Sequence, residues 1–201
     1  YLTPVDAARN AISIVTYPFE GGIKIDDHGQ FVRERVADKS YFKSSNPDID
    51  RAWEPLLHAG LNIDLGETEV PDVQFTTYRW DKTGTYFTGL DVFHSLHCLY
   101  RIQQALHPEK YQEMITPNES LNTHPNPPWH DHIDHCFDHI RQSLQCHSDL
   151  TPMEWERKSD KLILRTETPH TCRDFGKIWK WAAAHMSTYP GLEDEALTIV
   201  D

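Results

Sequence analysis

The thirteen residues from His94 to Leu106 recur in register at His132 to Leu144, and this repeat restricts the fold more than any other feature of the chain. Six positions are identical: both His and the Cys of a His-x-x-His-Cys unit, then an Ile, a Gln and a Leu. At about 100° per residue, Val92, Phe93, Leu96, Leu99, Tyr100, Ile102 and Leu106 fill one apolar face of a helix, leaving His94, His97 and Cys98 together on the other. Asp91 is the expected N-cap. In the second copy, capped by Asp131, the stripe Ile133, Phe137, Ile140 and Leu144 lies opposite His132, His135, Cys136 and His139. Residues three and four apart on a helix are neighbours, so each His pair can converge on one point. Two such helices packed His face to His face bring four imidazoles together.

The remaining elements are short. Ile23 to Ile25 and Phe31 to Glu34 read as a hairpin around an Asp- and Gly-rich turn. A short helix follows Pro47, with Trp53, Leu56 and Leu57 as its buried edge. Phe75 to Trp80, Thr85 to Thr88 and Lys161 to Arg165 read as strands. Pro117 to Pro128 reads as a loop. Thr171 to His185 reads as a helix with Phe175, Ile178, Trp179 and Ala182 on one side, and the acidic tail after Tyr189 as loosely held. Residues 1–20 are ambiguous between a short helix from Asp6 and extended chain. The expectation is a single α+β domain over residues 1–201, predominantly helical, with the two motif helices face to face.

Six Trp, eight Tyr and eight Phe supply a core despite a mean hydropathy of -0.62. A net charge of -12 disfavours nucleic acid and anionic membrane surfaces as partners. The chain has no Rossmann glycine motif, no phosphate-cradling loop and no Cys-x-x-Cys-His haem attachment. Thirteen His therefore point towards a metal. Imidazole suits copper, zinc and iron. Zinc in a closed His-Cys site is the alternative to copper if the thiols are free.

Four Cys allow two disulfides. Cys136 and Cys146 lie ten residues apart on one helix, about 15 Å along its axis, too far to bridge. Cys98 and Cys136 hold equivalent places in the repeat, so Cys98–Cys136 with Cys146–Cys172 is the expected pairing. Asn118-Glu119-Ser120 is a glycosylation sequon. The chain opens at Tyr1 rather than Met, and a processed or truncated form is expected. Together these features lean towards a secretory lumen.

The string Gly89-Leu90-Asp91-Val92-Phe93-His94-Ser95-Leu96-His97-Cys98-Leu99 resembles the first motif of the UstYa-like family of fungal biosynthetic proteins, and His132-Ile133-Asp134-His135-Cys136 resembles the second. Arg141 to Cys146, Asp149, Thr151 and His170-Thr171-Cys172-Arg173-Asp174 resemble that family's later landmarks. The likeness runs from about Trp53 to His185. It implies a copper-dependent oxidase of peptide or small-molecule natural-product biosynthesis. Such enzymes use O2 for cyclisation, hydroxylation or desaturation, and in some members halogenation. It also implies a luminal body on a single N-terminal membrane anchor. The implied active-site and metal residues are His94, His97, His132 and His135, holding one or two ions. His139 and His170 are secondary ligand candidates, and His139 departs from the family's usual pattern. A non-catalytic luminal partner of a homologous oxidase, a homodimer and a zinc-structural domain are the competing expectations. Arg101 and Gln104 share the metal-facing arc. Trp129 is expected to be a packing anchor, and His28, His58, His107, His124, His147 and His185 to lie on the surface.

Overall fold

A computed structural model describes residues 6–33, 41, 49–70, 77–115, 128–158, 160–165, 167–187 and 197–200. A 3-10 helix, Asp6–Ala11, leads into β1, Ile14–Pro18. The hairpin follows as β2, Ile23–Ile25, and β3, Phe31–Arg33. Its turn is built by Asp26, whose Oδ1 accepts from the backbone N–H of His28 at 2.9 Å and of Gln30 at 2.8 Å. Gly29 takes a φ of 75°, which costs a residue without Cβ little.

Helix α1, Ile49–His58, buries Trp53. Then come β4, Ile63–Leu65, β5, Thr77–Trp80, and β6, Tyr86–Thr88. The motif helix α2 spans Asp91–Ala105, followed by α3, Pro108–Ile115, and the second motif helix α4, Trp129–His147. The chain continues through β7, Glu154–Lys158, β8, Lys161–Arg165, and β9, Pro169–Arg173. Helix α5, Phe175–Ala184, and β10, Leu197–Val200, complete the order. All strand pairs are antiparallel: a four-stranded sheet in the order β10-β5-β6-β4, and the separate pairs β1-β9, β2-β3 and β7-β8. The architecture is α+β.

What fixes α2 is a small core under its first turn. Phe93 is 0% exposed and packs with Ala59, Ala182, Leu90, Phe175 and Ile178. Two glycines permit the approach. A Cβ on Gly60 would stand 2.3 Å from the Phe93 ring, and one on Gly89 would stand 2.3 Å from the Leu61 carbonyl oxygen. The backbone N–H of Leu90 donates to the Gly60 carbonyl at 2.9 Å, so the entry to α2 is bolted to the chain leaving α1.

Several details differ from the sequence expectations. Leu90, not Asp91, occupies the cap position of α2, without a side-chain cap; α4 starts at Trp129 behind Pro128, ahead of Asp131. Proline supplies the fixed φ that starts a helix, which the search for a polar cap overlooked. Thr171 to Arg173 belong to β9 rather than to the terminal helix. Pairing with β1 extends them, and Asp174 then caps α5, accepting from the Lys177 N–H at 3.2 Å. The apolar stripe of α4 is split: Phe137 and Leu144 are 67% and 71% exposed, while Ile133 and Ile140 are half-buried, because Cys136 rather than the stripe takes the centre of the contact with α2.

Neither expected disulfide is formed: Cys98, Cys136, Cys146 and Cys172 are all free thiols. Cys98 and Cys136 do meet, but as hydrogen-bonded thiols that burial keeps protonated. Cys146 stays exposed on the last turn of α4, while Cys172 sits half-buried in β9 opposite Val15. The Asn118 sequon and His124 lie outside the described residues. Among the described residues no helix is long and apolar enough to cross a membrane.

Candidate metal centre

Helices α2 and α4 pack against each other across an interface in which Cys98 meets Cys136 and the rings pair crosswise, His94 with His135 and His97 with His132. Cys98 and Cys136 lie fully buried at its centre, thiol to thiol. The rings stand around them: His97 and His132 with centroids 5.7 Å apart and nearly parallel, His94 and His135 at 5.5 Å, His94 and His97 at 6.2 Å. Imidazoles sharing an ion through bonds of about 2.0–2.1 Å have ring centres roughly 5–6 Å apart, so the spacing of each cross-helix pair fits an ion shared by two rings; among the described residues His97 and His132 join no group of three converging ligand atoms. His94 Nε2 is 3.9 Å from Cys98 Sγ, and His94, Cys98 and His135 each turn a ligand atom within 4.8 Å of the other two.

The electrostatics favour neutral ligands. Burial, then the Arg101 cation and the His132 and His94 rings, depress the His97 pKa to about 4. His132 is lowered by burial, Arg101 and His135. His94 is lowered by burial, then by His139 and His135, against an opposing pull from Asp91. At neutral pH these three rings are uncharged and their lone pairs are available to a cation. The thiols are held back. Burial, assisted by the contact with Cys136, pushes Cys98 up to about 12, and burial raises Cys136 as well. An ion entering here meets imidazoles first and takes a sulfur only by displacing its proton.

Arg101 closes the His97–His132 end. Its Nη1 donates to Gln104 Oε1 at 3.1 Å, and its buried Nε has no hydrogen-bond partner among the described residues. At the opposite end His139 reaches His94: its Nε2 lies 3.2 Å from His94 Nδ1, 3.2 Å from Ser95 Oγ and 3.3 Å from Asp91 Oδ1. Ser95 Oγ also reaches Ser143 Oγ at 3.3 Å.

All four motif histidines are thus brought together, and His139 joins them. His170 is not part of the group. It sits in β9, stacked on Phe19 with centroids 3.7 Å apart, and its Nδ1 is 2.6 Å from Asp149 Oδ2. Sequence reading treated Asp91 only as a cap and passed over Ser95 and Ser143. The i, i+4 spacings Asp91–Ser95 and His139–Ser143 were the available signal. His185, expected on the surface, is half-buried: Nε2 meets Glu69 Oε1 at 2.9 Å and the ring stacks on Trp181.

No solved structure matches the chain. Among curated proteins, it is 30% identical over 190 residues to the UstYa family oxidase phomYd of Diaporthe leptostromiformis, covering 87% of this chain and 59% of that one. It is 28% identical over 196 residues to phomYc of the same fungus, covering 90% of this chain and 72% of the relative. To the oxidase ustYa of Aspergillus flavus it is 32% identical over 149 residues, 71% of this chain and 62% of the other. The chain thus spans little more than half the length of phomYd. The model of the mycotoxin biosynthesis protein UstYa matches residues 6–185, nearly the whole chain. On that match, and on the two motifs that α2 and α4 set ring to ring, the chain belongs to the UstYa family.

Proposed function

We propose that this chain is an oxidase of fungal secondary-metabolite biosynthesis, holding copper between His94, His97, His132 and His135 and using O2 to oxidise a peptide or small-molecule substrate. The observation that carries the reading is the meeting of two His-x-x-His units, one per helix, at ring spacings of 5.5 to 6.2 Å. The relatives named as oxidases support it. Bound copper would supply the one-electron chemistry with O2 that no side chain here provides. The protein's part is positional. Two long helices hold the rings, burial keeps those of His94, His97 and His132 neutral, and Arg101 places a fixed positive charge beside His97 and His132. That charge suits an anionic substrate group approaching this end. The proposed setting is the secretory lumen, with the full-length protein anchored by one N-terminal helix. Cyclisation, hydroxylation, desaturation and halogenation are all outcomes open to one oxidising centre.

Chain stripped with a chelator, reloaded with cupric ion and passed through a desalting column is expected to retain copper and to consume O2 in the presence of ascorbate. Stripped chain passed through the same column is expected to be inert. Copper lost on the column, or O2 uptake by the reloaded chain no greater than by the stripped chain, contradicts the reading. One observation favours a second reading. Cys98 and Cys136 lie among the same rings, and a Cys2His2 donor set suits a closed zinc site. Tight zinc retention without copper-dependent O2 uptake would select it.

A further inference from the structure

We propose that Asp91, His94 and His139 form a second divalent-metal site, beside the ion proposed for the paired motifs. His139 is not supplied by the repeat, since its register partner in α2 is Arg101. Its presence at the interface therefore needs its own explanation. The Nε2 atom of His139 has His94 Nδ1 at 3.2 Å, Ser95 Oγ at 3.2 Å and Asp91 Oδ1 at 3.3 Å. A ring nitrogen carries one proton or one lone pair, so it satisfies one of these partners by hydrogen bonding and not all three.

A cation resolves the conflict. The lone pairs of two imidazole nitrogens and a carboxylate oxygen converge here, all three ligand atoms lying within 4.8 Å of one another. An ion making tetrahedral bonds of about 2.0–2.1 Å holds its ligands roughly 3.3 Å apart, which matches the two separations to His139. Asp91 contributes the negative charge and is 63% exposed, which leaves water a path to the remaining coordination position. Ser95, bonded to Ser143, braces the carboxylate side. A set of two imidazoles and one carboxylate takes zinc or cupric ion.

His94 turns Nδ1 to this triad and Nε2 towards Cys98. His94 is thus common to both donor sets. That shared role rests on the motif centre proposed above; the triad's own geometry does not.

The test is an ion count. Chelator-stripped protein is incubated with cupric or zinc ion, desalted, and its metal content measured by elemental analysis, with helix content checked by circular dichroism. Wild type is expected to retain two ions per chain, and His139→Gln and Asp91→Asn one each. His97→Gln with His132→Gln is expected to keep the triad ion and lose the other. One ion in wild type, unaffected by His139→Gln and lost with the His97 and His132 pair, overturns the second site while leaving the motif centre standing. One ion lost in His139→Gln but kept in the pair variant supports the triad and removes the motif centre. No retained ion overturns both.

Discussion

A variant carrying His94→Ala and His132→Ala is expected to lose copper and copper-dependent O2 uptake, falling to the level of the stripped chain while remaining folded. The pair takes one ring from each motif and, with His94, the residue common to both proposed sites, so neither His-x-x-His unit keeps two rings. Removing hydrogen-bond partners that merely orient metal ligands typically costs about 10–100-fold in affinity. Deleting two ligands outright should cost more than the upper end of that range. The fold should survive, because α2 is anchored from its other side through Phe93, Ala59 and Ala182. Neither ring lies in that cluster. Copper content and O2 uptake unchanged from wild type would show that the rings meet for another reason.

The largest expected effect on stability is at Phe93. Truncation to alanine should cost about 3–5 kcal/mol, the range for emptying a buried aromatic site. The ring is fully buried, sits 5.8 Å from the Phe175 ring, and fills space that Gly60 leaves by having no Cβ. Little collapse is available, because the wall opposite is backbone. The same residue lies in the first turn of α2, immediately before His94, so the loss should also loosen the motif helix against α1 and α5. Urea unfolding of the stripped protein measures it. A loss below about 1 kcal/mol would mean that α2 is held chiefly by α4.

The shared His/Cys face was legible in the sequence because it is local. His-x-x-His-Cys on a helix needs only the helical period, and duplication supplies the partner. The β2–β3 turn was legible for a similar reason: Asp26 satisfies the backbone of His28 and Gln30 within the same loop. What escaped depends on distant chain. The β9 strand exists because Ile14 to Pro18 pair with it, a contact that spans more than half the sequence. The strand β7, Glu154-Trp155-Glu156-Arg157-Lys158, was not among the expected strands; four of its five residues are charged, and it is its pairing with β8 that extends it.

The outward face of α4 shows where periodicity misleads. An apolar stripe normally marks the buried side. Here Cys136 takes the inner side with His132 and His139 half-buried beside it, and Phe137 and Leu144 are left in solvent. Asp91 was misassigned because an acidic residue at a helix start has a sufficient local explanation. Its partner His139 lies on the other helix, 48 positions away in the chain.

The central claim is that imidazoles from α2 and α4 jointly grip a redox-active ion, and the electron paramagnetic resonance spectrum of the copper-loaded chain tests it most directly. The account predicts a cupric signal split by several imidazole nitrogens in wild type, with that nitrogen splitting lost in the His94→Ala, His132→Ala variant. A spectrum of aquated copper in wild type, or an identical nitrogen pattern in both proteins, would contradict it.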